Sequence, residues 1–299
     1  MIVITTPTGG IGRQVLDNVL DTLDARDDGA AVRVIARDPA RLTARARERA
    51  EVFRGSHADR DVLGAACEGA DQVFWLVPPA PGADSVEGHF RDFTLPLCEA
   101  IERQGVARVV AVSSLGRGVA KDAGPITASL AMDDRIAATG VHYRALCPPF
   151  LMENLLGQAA ALRDTGEFRV AYAADRVLRT CATADIAATA ARLLLDGTWT
   201  GRADVPVVGP DALTPAGMAE VLSEVLGRPV RVRETTPEAY RASALRFGAS
   251  EASAQGLADM ASAMDAQDFY GAAEPSTPDT APTSFRRWCE EVLRPATLV

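Results

Sequence analysis

Residues 5–12 read TTPTGGIG. They lie between the apolar run MIVI (1–4) and a segment, 11–23, whose Ile11, Val15, Leu16, Val19, Leu20 and Leu23 share one helical face. A glycine-rich turn from a buried strand into an amphipathic helix is the setting that gives a dinucleotide-binding fingerprint its meaning. In such a turn the first glycine makes the bend, the second lets backbone approach a pyrophosphate, and the third lets the helix pack on the strand. The helix N-terminus then faces the phosphates. Here the spacing is Thr6-x-x-Gly9-x-x-Gly12, so only the first role falls to a residue with a side chain. A β-branched threonine disfavours positive φ, and Pro7 restricts the residue before it. Both predict an extended Thr6, with Gly10 giving the loop slack. Thr6, Thr8, Gly9, Gly10, Ile11, Gly12 and Arg13 then form a modified phosphate turn; the alternative is a plain strand-to-helix bend.

The alternation continues downstream. AVRVIAR (31–37), EVF (51–53), DQVFWLV (71–77), ARVVAVS (107–113) and VHYRALC (141–147) read as strands, with helical stretches at 61–70 and 90–105. Near-continuous apolar strands belong to a parallel sheet covered on both faces. The pattern predicts an α/β fold, a doubly wound Rossmann-type parallel sheet. After residue 150 the rhythm changes. LMENLLGQAAAL (151–162) and ATADIAATAARLLLD (182–196) read as helices, and ADVPVVG (203–209) as a late strand for the sheet. The helix at 214–227 has Thr214 as N-cap, Pro215 at its first position and Gly227 beyond its end. A loop at 274–282 precedes a last helix around SFRRWCEEVL (284–293). The expected organisation is a core of residues 1–150, completed by about 177–209. A smaller, partly interleaved α-rich C-terminal cap comes from 151–176 and 210–299.

The 299 residues carry a net charge of −9, which argues against a nucleic-acid surface. Five dispersed cysteines, with no Cys-x-x-Cys pair, and three histidines give no metal-ligand pattern. No membrane-length apolar run or secretory leader is visible, which predicts a cytoplasmic protein with reduced thiols. Positive charge is nearly all arginine, and Lys121 is the only lysine.

The end of the second strand speaks to the choice of dinucleotide. Sites that prefer NAD place an acid there, on the ribose 2′-hydroxyl. This strand ends in IARDPARL, with Arg37 at that place and Arg41 one turn on. A guanidinium suits a 2′-phosphate by charge and bidentate geometry, and Arg13 adds to it, so NADP(H) is expected over NAD(H). Asp38 facing the ribose is the competing arrangement; a charged strand-to-helix connection is the plain one.

Taken in order, TTPTGGIG, VIARDPARL, GADQVFWLVPP, GVARVVAVSSLG, TGVHYRALCPPFLMENL and TADIAATAARLLLDG resemble the NmrA-like, atypical short-chain dehydrogenase/reductase group over roughly residues 1–200. The resemblance implies a Rossmann core that binds NADP(H), with Val77 and Pro78 along the cofactor and a substrate cleft between core and cap. Two departures stand out. Where many relatives have an aspartate after the third-strand glycine, this chain has Ser56, leaving Asp59 as the nearby acid for adenine contacts. The tyrosine–lysine pair of typical short-chain dehydrogenases is also missing. None of Tyr143, Tyr172, Tyr240 and Tyr270 has a lysine four residues on, and Pro125 and Ser129 stand near the pair's place.

Ser113 and Ser114 end the fifth strand, where the parent group has its substrate-orienting serine; the alternative is a Ser-Ser that terminates the strand. Arg117 in the same loop reads as a substrate-anion partner or a solvated arginine. Phe150, Met152 and Asn154 read as pocket wall and polar anchor, or as a helix start packed on the core. Lys121 and His89 are further proton-donor or nicotinamide-side candidates. His142 reads as structural, His57 as near the adenine end, and Asp185 as a helix cap. The leading expectation is NADP(H)-dependent reduction of a small carbonyl, quinone or enone, with Ser113 or Ser114 polarising the oxygen. The alternatives are a non-catalytic NADP(H)-sensing regulator of a protein partner, and a redox-neutral biosynthetic enzyme reusing the fold.

Overall fold

The computed structural model describes residues 1–298. Its centre is a parallel sheet whose first six strands are β1 (Ile2–Thr5), β2 (Val32–Ala36), β3 (Ala50–Arg54), β4 (Gln72–Trp75), β5 (Arg108–Val112) and β6 (His142–Cys147). Side chains alternate across it. Ile2, Ile4, Val34, Phe74, Val110 and Leu146 enter the core on one face, and Val3, Ile35, Val73, Trp75, Val109 and Tyr143 on the other. Both faces are covered, as the apolar runs require.

The helices of this half are α1 (Gly10–Ala25), α2 (Ala44–Arg49), α3 (Arg60–Cys67), α4 (Val86–Gln104) and α5 (Pro125–Ala138). Those of the second half are α6 (Ala159–Asp164), α7 (Thr183–Leu195), α8 (Pro215–Leu226), α9 (Pro237–Arg246), α10 (Glu251–Gln267), α11 (Phe285–Trp288) and α12 (Arg294–Thr297). The later strands are β7 (Phe150–Leu151), β8 (Glu167–Val170), β9 (Thr180–Cys181), β10 (Arg202–Pro206) and β11 (Arg231–Glu234). β10 joins the main sheet beside β6, giving seven strands in the order β10-β6-β5-β4-β1-β2-β3. α1 and α7 pack on one face, and α3, α4 and α5 on the other. β8 pairs with β11 and β7 with β9 in two small parallel ladders. A second core holds Met152, Leu155, Phe168, Leu222, Met264, Phe285 and Trp288. The chain therefore leaves the sheet after β6, returns with α7 and β10, and leaves again. Among the described residues no helix is long and apolar enough to cross a membrane.

Three local expectations change. Residues 151–162 are not one helix: β7 leads into a 3-10 stretch, Met152–Gln158, and then α6. Met152 and Leu155 are the buried side chains of that stretch, and their three-residue spacing is that of a 3-10 helix. The helices α9 and α10 have no counterpart among the expected elements. Their inward positions are mostly alanine, and α9 buries no residue, so the apolar stripe that announces a helix is weak. Asp185 does not cap its own helix; it accepts from the Thr283 hydroxyl (2.7 Å) and amide (3.1 Å), tying the C-terminal loop to α7.

The cap of α7 comes from elsewhere. Its N-cap residue, Ala182, has no side chain to offer. The Glu153 carboxylate takes the Thr183 amide (3.1 Å) and hydroxyl (2.7 Å), and accepts from the Trp288 indole (3.2 Å). Gln14 of α1 in turn donates to the Thr183 hydroxyl. One carboxylate thus links the 3-10 stretch, α7 and α11. Replacing a capping acceptor costs roughly 0.5–2 kcal/mol, and a stranded buried donor adds to it. Glu153→Ala should therefore lower unfolding free energy by about 2 kcal/mol in urea denaturation.

Candidate active site

The strands are parallel, so the C-terminal ends of β1, β2, β4, β5 and β6 lie along one edge of the sheet. The order reverses between β1 and β4, and ligands of open α/β sheets bind in the crevice at such a point. Thr5 closes the seam there: its hydroxyl donates to the Phe74 carbonyl (3.0 Å) and accepts from the Leu76 amide (3.2 Å).

Thr6 follows, and it is not extended. Its φ is +52°, in the left-handed region. The tight return of the chain imposes this: the Gly9 amide donates to the Thr6 carbonyl at 2.9 Å, and Gly12 packs beneath the same carbonyl. A Cβ at residue 12 would stand 2.2 Å from that oxygen. The left-handed conformation costs a residue with a side chain roughly 1–2 kcal/mol. The Thr6 hydroxyl is also buried without a partner.

Beyond the bend, α1 begins at Gly10 with no side-chain cap and no acid in its first turn. Gly9 and Gly10 are exposed. The first amides of the helix are thus open to solvent beside backbone that a ligand can approach, and they suit a pyrophosphate. Thr8 is half-buried, Ile11 is in the core, and Arg13 points outward.

At the end of β2, Arg37 is exposed, as is Arg41. Among the described residues neither these two nor Arg13 forms an ion pair. Asp38, the competing acid, accepts from the Ala40 amide (3.1 Å) and caps the short turn Pro39–Arg41. One oxygen of Asp59 accepts from the Asp61 (2.9 Å) and Val62 (3.2 Å) amides, capping α3. His57 is wedged between Trp75 and Phe93. Its Nε2 donates to the Leu76 carbonyl (3.0 Å), and burial pushes its pKa down to about 4, so the ring is a neutral packing element.

Val77 is buried and Pro78 half-buried at the end of β4. His89 caps that segment from the side, its Nε2 at 2.8 Å from the Pro78 carbonyl. The loop beyond is held by the cap. Ser250, the N-cap of α10, donates its amide to the Pro81 carbonyl and its hydroxyl to the Ala83 carbonyl, and Ser253 donates to Ala80.

The end of β5 holds the densest polar cluster. Asp133 of α5 has 0% exposure, yet its carboxylate accepts from Ser113 (2.6 Å), the Tyr143 hydroxyl (2.5 Å) and Arg117 (2.8 Å). Burial pushes its pKa up to about 6, against the hydrogen bonds from Ser113 and Tyr143 and the charge of Arg117, which lower it. Ser113 therefore spends its single proton on Asp133 and has none with which to polarise a substrate oxygen. Arg117 is not a substrate-anion partner: its three nitrogens serve Asp204, Asp134 and Asp133 at 2.8–2.9 Å. Ser114 faces elsewhere, and its Oγ lies 3.2 Å from the hydroxyl of Tyr270. No sequence spacing pointed to Tyr270, because it arrives from the turn after α10.

The remaining candidates fall apart from one another. Phe150 is half-buried against the second core. Met152 is fully buried inside it, so it cannot line an open pocket. Asn154 is exposed, and its neighbour Glu153 does the anchoring. Lys121 is exposed, held only through its backbone by Gln267. Ser129 donates to the Ile126 carbonyl within α5, and His142 accepts from the Gly201 amide. A groove of about 440 Å³ between α1 and α7 contains none of the strand-end residues.

Two measurements check this geometry. Thr6→Gly relieves the left-handed strain and removes the orphan hydroxyl; these outweigh the entropy glycine adds to the unfolded chain, so stability should rise by about 1 kcal/mol. His57 is harder to protonate folded than unfolded, so it contributes stability above pH 6.5 that is lost as pH falls toward 4. The stability advantage of wild type over His57→Phe should shrink by roughly 3 kcal/mol across that window in urea unfolding.

Comparison with known proteins agrees with this construction. A family profile described as NAD(P)H-binding matches residues 7–197. The (4-alkanoyl-5-oxo-2,5-dihydrofuran-3-yl)methyl phosphate reductase of Streptomyces griseus subsp. griseus is 31% identical over 244 residues, 81% of this chain and 79% of that protein. The NAD(P)H azoreductase of Xenophilus azovorans is 28% identical over 263 residues, 87% of this chain and 86% of that protein. In structure, the NADPH-dependent quinone oxidoreductase of Escherichia coli, solved with NADPH, superposes with a TM-score of 0.77 at 22% identity, covering 96% of this chain and 97% of that one, which shows the shared fold. The uncapped α1 turn, the sheet order and the family match converge: this chain belongs to the NAD(P)H-binding family.

Proposed function

We propose that the protein is an NADPH-dependent oxidoreductase that reduces a small carbonyl, quinone or enone by direct hydride transfer, without a tyrosine–lysine pair. The observation that carries the cofactor choice is the pairing of a free Arg37 with an occupied Asp38 at the end of β2. An unpaired guanidinium there favours a 2′-phosphate, while one oxygen of Asp38 is engaged in capping the turn. The reductase names of the relatives support the reaction class.

When bound, the nicotinamide supplies the hydride; positioning falls to the protein. The open amides at the start of α1 hold the pyrophosphate, with Gly9 and Gly10 admitting it. Arg37, and the exposed Arg13 and Arg41, would hold the adenosine end. Val77 and Pro78 border the path along β4. Ser250 and Ser253 pin the start of α10 to the loop at residues 80–83, which follows the end of β4. Orienting an acceptor against a fixed nicotinamide is itself a large part of such catalysis.

Calorimetric titration with NADPH and NADH tests the cofactor assignment. Wild type should bind NADPH the more tightly, and Arg37→Ala should weaken NADPH about 10- to 100-fold while leaving NADH within twofold. Equal affinities in wild type would sink the NADPH preference. Saturating NADPH with a panel of ketones, enones and quinones tests the chemistry. Binding without any turnover would favour the nucleotide-sensing alternative, for which the missing tyrosine–lysine pair speaks.

A further inference from the structure

We propose that Tyr270 and Ser114 form the proton-donating pair for the acceptor's oxygen, an assignment that rests on the reductase reading above. Counting protons at the end of β5 leads to it. Ser113 and Tyr143 both donate to Asp133. The single proton of the Tyr172 hydroxyl is shared between the Val177 carbonyl (3.1 Å) and Asp268 (3.0 Å). Arg117 is used by three carboxylates. Tyr240 lies on α9, away from the sheet, and Lys121 is exposed in its loop. Ser114 and Tyr270 are different: two hydroxyls share a single hydrogen bond, so one of their two protons has no acceptor. Both residues are buried, at 8% and 6% exposure, and buried donors are normally matched. The pair is built to donate to something that arrives.

The fold brings Tyr270 there deliberately. α10 ends in Asp268, at φ +48°, which turns the chain back toward the sheet. Asp268 is fixed by the Tyr172 hydroxyl, and Phe269 packs against Gly116 in the loop after β5. Tyr270 is thereby delivered edge-on to Phe269, with its hydroxyl at the first residue beyond Ser113. Its place at the C-terminal sheet edge, under the cap, is where the acceptor must lie if the dinucleotide follows the crevice.

Of the two hydroxyls the phenol is the stronger acid, so Tyr270 gives up the proton and Ser114 donates to the phenolate that forms. In the step, the acceptor carbon gains a hydride with its electron pair from the reduced dinucleotide, which is oxidised. The π pair of the C=O bond moves to oxygen, or through the conjugated system of an enone. That oxygen takes the Tyr270 proton, and a proton from water restores the phenol. Burial holds the Tyr270 phenol up at about 12, so it remains protonated across the neutral range.

The test compares two acceptors with NADPH: a ketone or enone, whose oxygen needs a proton, and a triarylmethyl cation dye, which hydride alone neutralises. Tyr270→Phe should lose about 100-fold or more in kcat on the first and less than threefold on the second. Ser114→Ala keeps the phenol and should show the same selectivity with roughly a 10-fold loss. Calorimetry adds a readout independent of turnover: the product alcohol should bind the NADP+-loaded Tyr270→Phe protein about 10-fold more weakly, while NADPH affinity stays within twofold. Unchanged ketone reduction in both variants, or an equal loss on both acceptors, overturns the pair and leaves the reductase reading standing. Reduction of the cation alone by wild type also overturns the pair. A wild type inactive on both acceptors removes the reductase reading, and the pair with it.

Discussion

The Thr6 carbonyl oxygen occupies the space a side chain on residue 12 would fill, and the rest of the nucleotide half is arranged around that contact. It brings the first turn of α1 against the end of β1, so the apolar face from Ile11 to Leu23 lies flat on the sheet. It also aims the uncapped amides of α1 at the crevice between β1 and β4. The cost is a threonine at positive φ with an unpartnered hydroxyl. Such strain persists only where its surroundings over-determine it, and here a buried strand, a helix and a turn hydrogen bond all do.

A second constraint works on the other half of the edge. The Asp133 carboxylate gathers donors from β5, β6 and the loop between β5 and α5. Arg117 then extends the link to β10 through Asp204. A buried carboxylate is tolerated because three donors meet it, and removing any one would leave it less compensated. Its chemical consequence is local. It fixes the direction of the Ser113 proton, and with it the division of labour between two adjacent serines.

The strands were legible because their alternation is local and the sheet covers both faces. Val32–Ala36 and Arg108–Val112 could hardly be anything else. The glycine turn into α1 was legible for the same reason, since glycine spacing and helix periodicity sit within a few residues of each other. The 3-10 stretch after β7 was not. Its apolar residues fit an α-helix in sequence, and only the fixed positions of Met152 and Leu155 in the second core select the tighter winding. Arg117 was not legible as a structural residue, because a residue's type says what it can bind, not what its neighbours have already bound.

The sequence alone determined the strands of the sheet, the helices α1, α3 and α4, the glycine turn and the arginine after β2, because each depends on residues close together in the chain. Tertiary structure decided the rest. It set the left-handed Thr6, through a backbone contact with Gly12. It turned Ser113 toward Asp133, 20 positions away, and set Tyr270 beside Ser114 across 156 positions. Hydroxyl protons go where packing leaves an acceptor, and packing is a property of the folded chain as a whole.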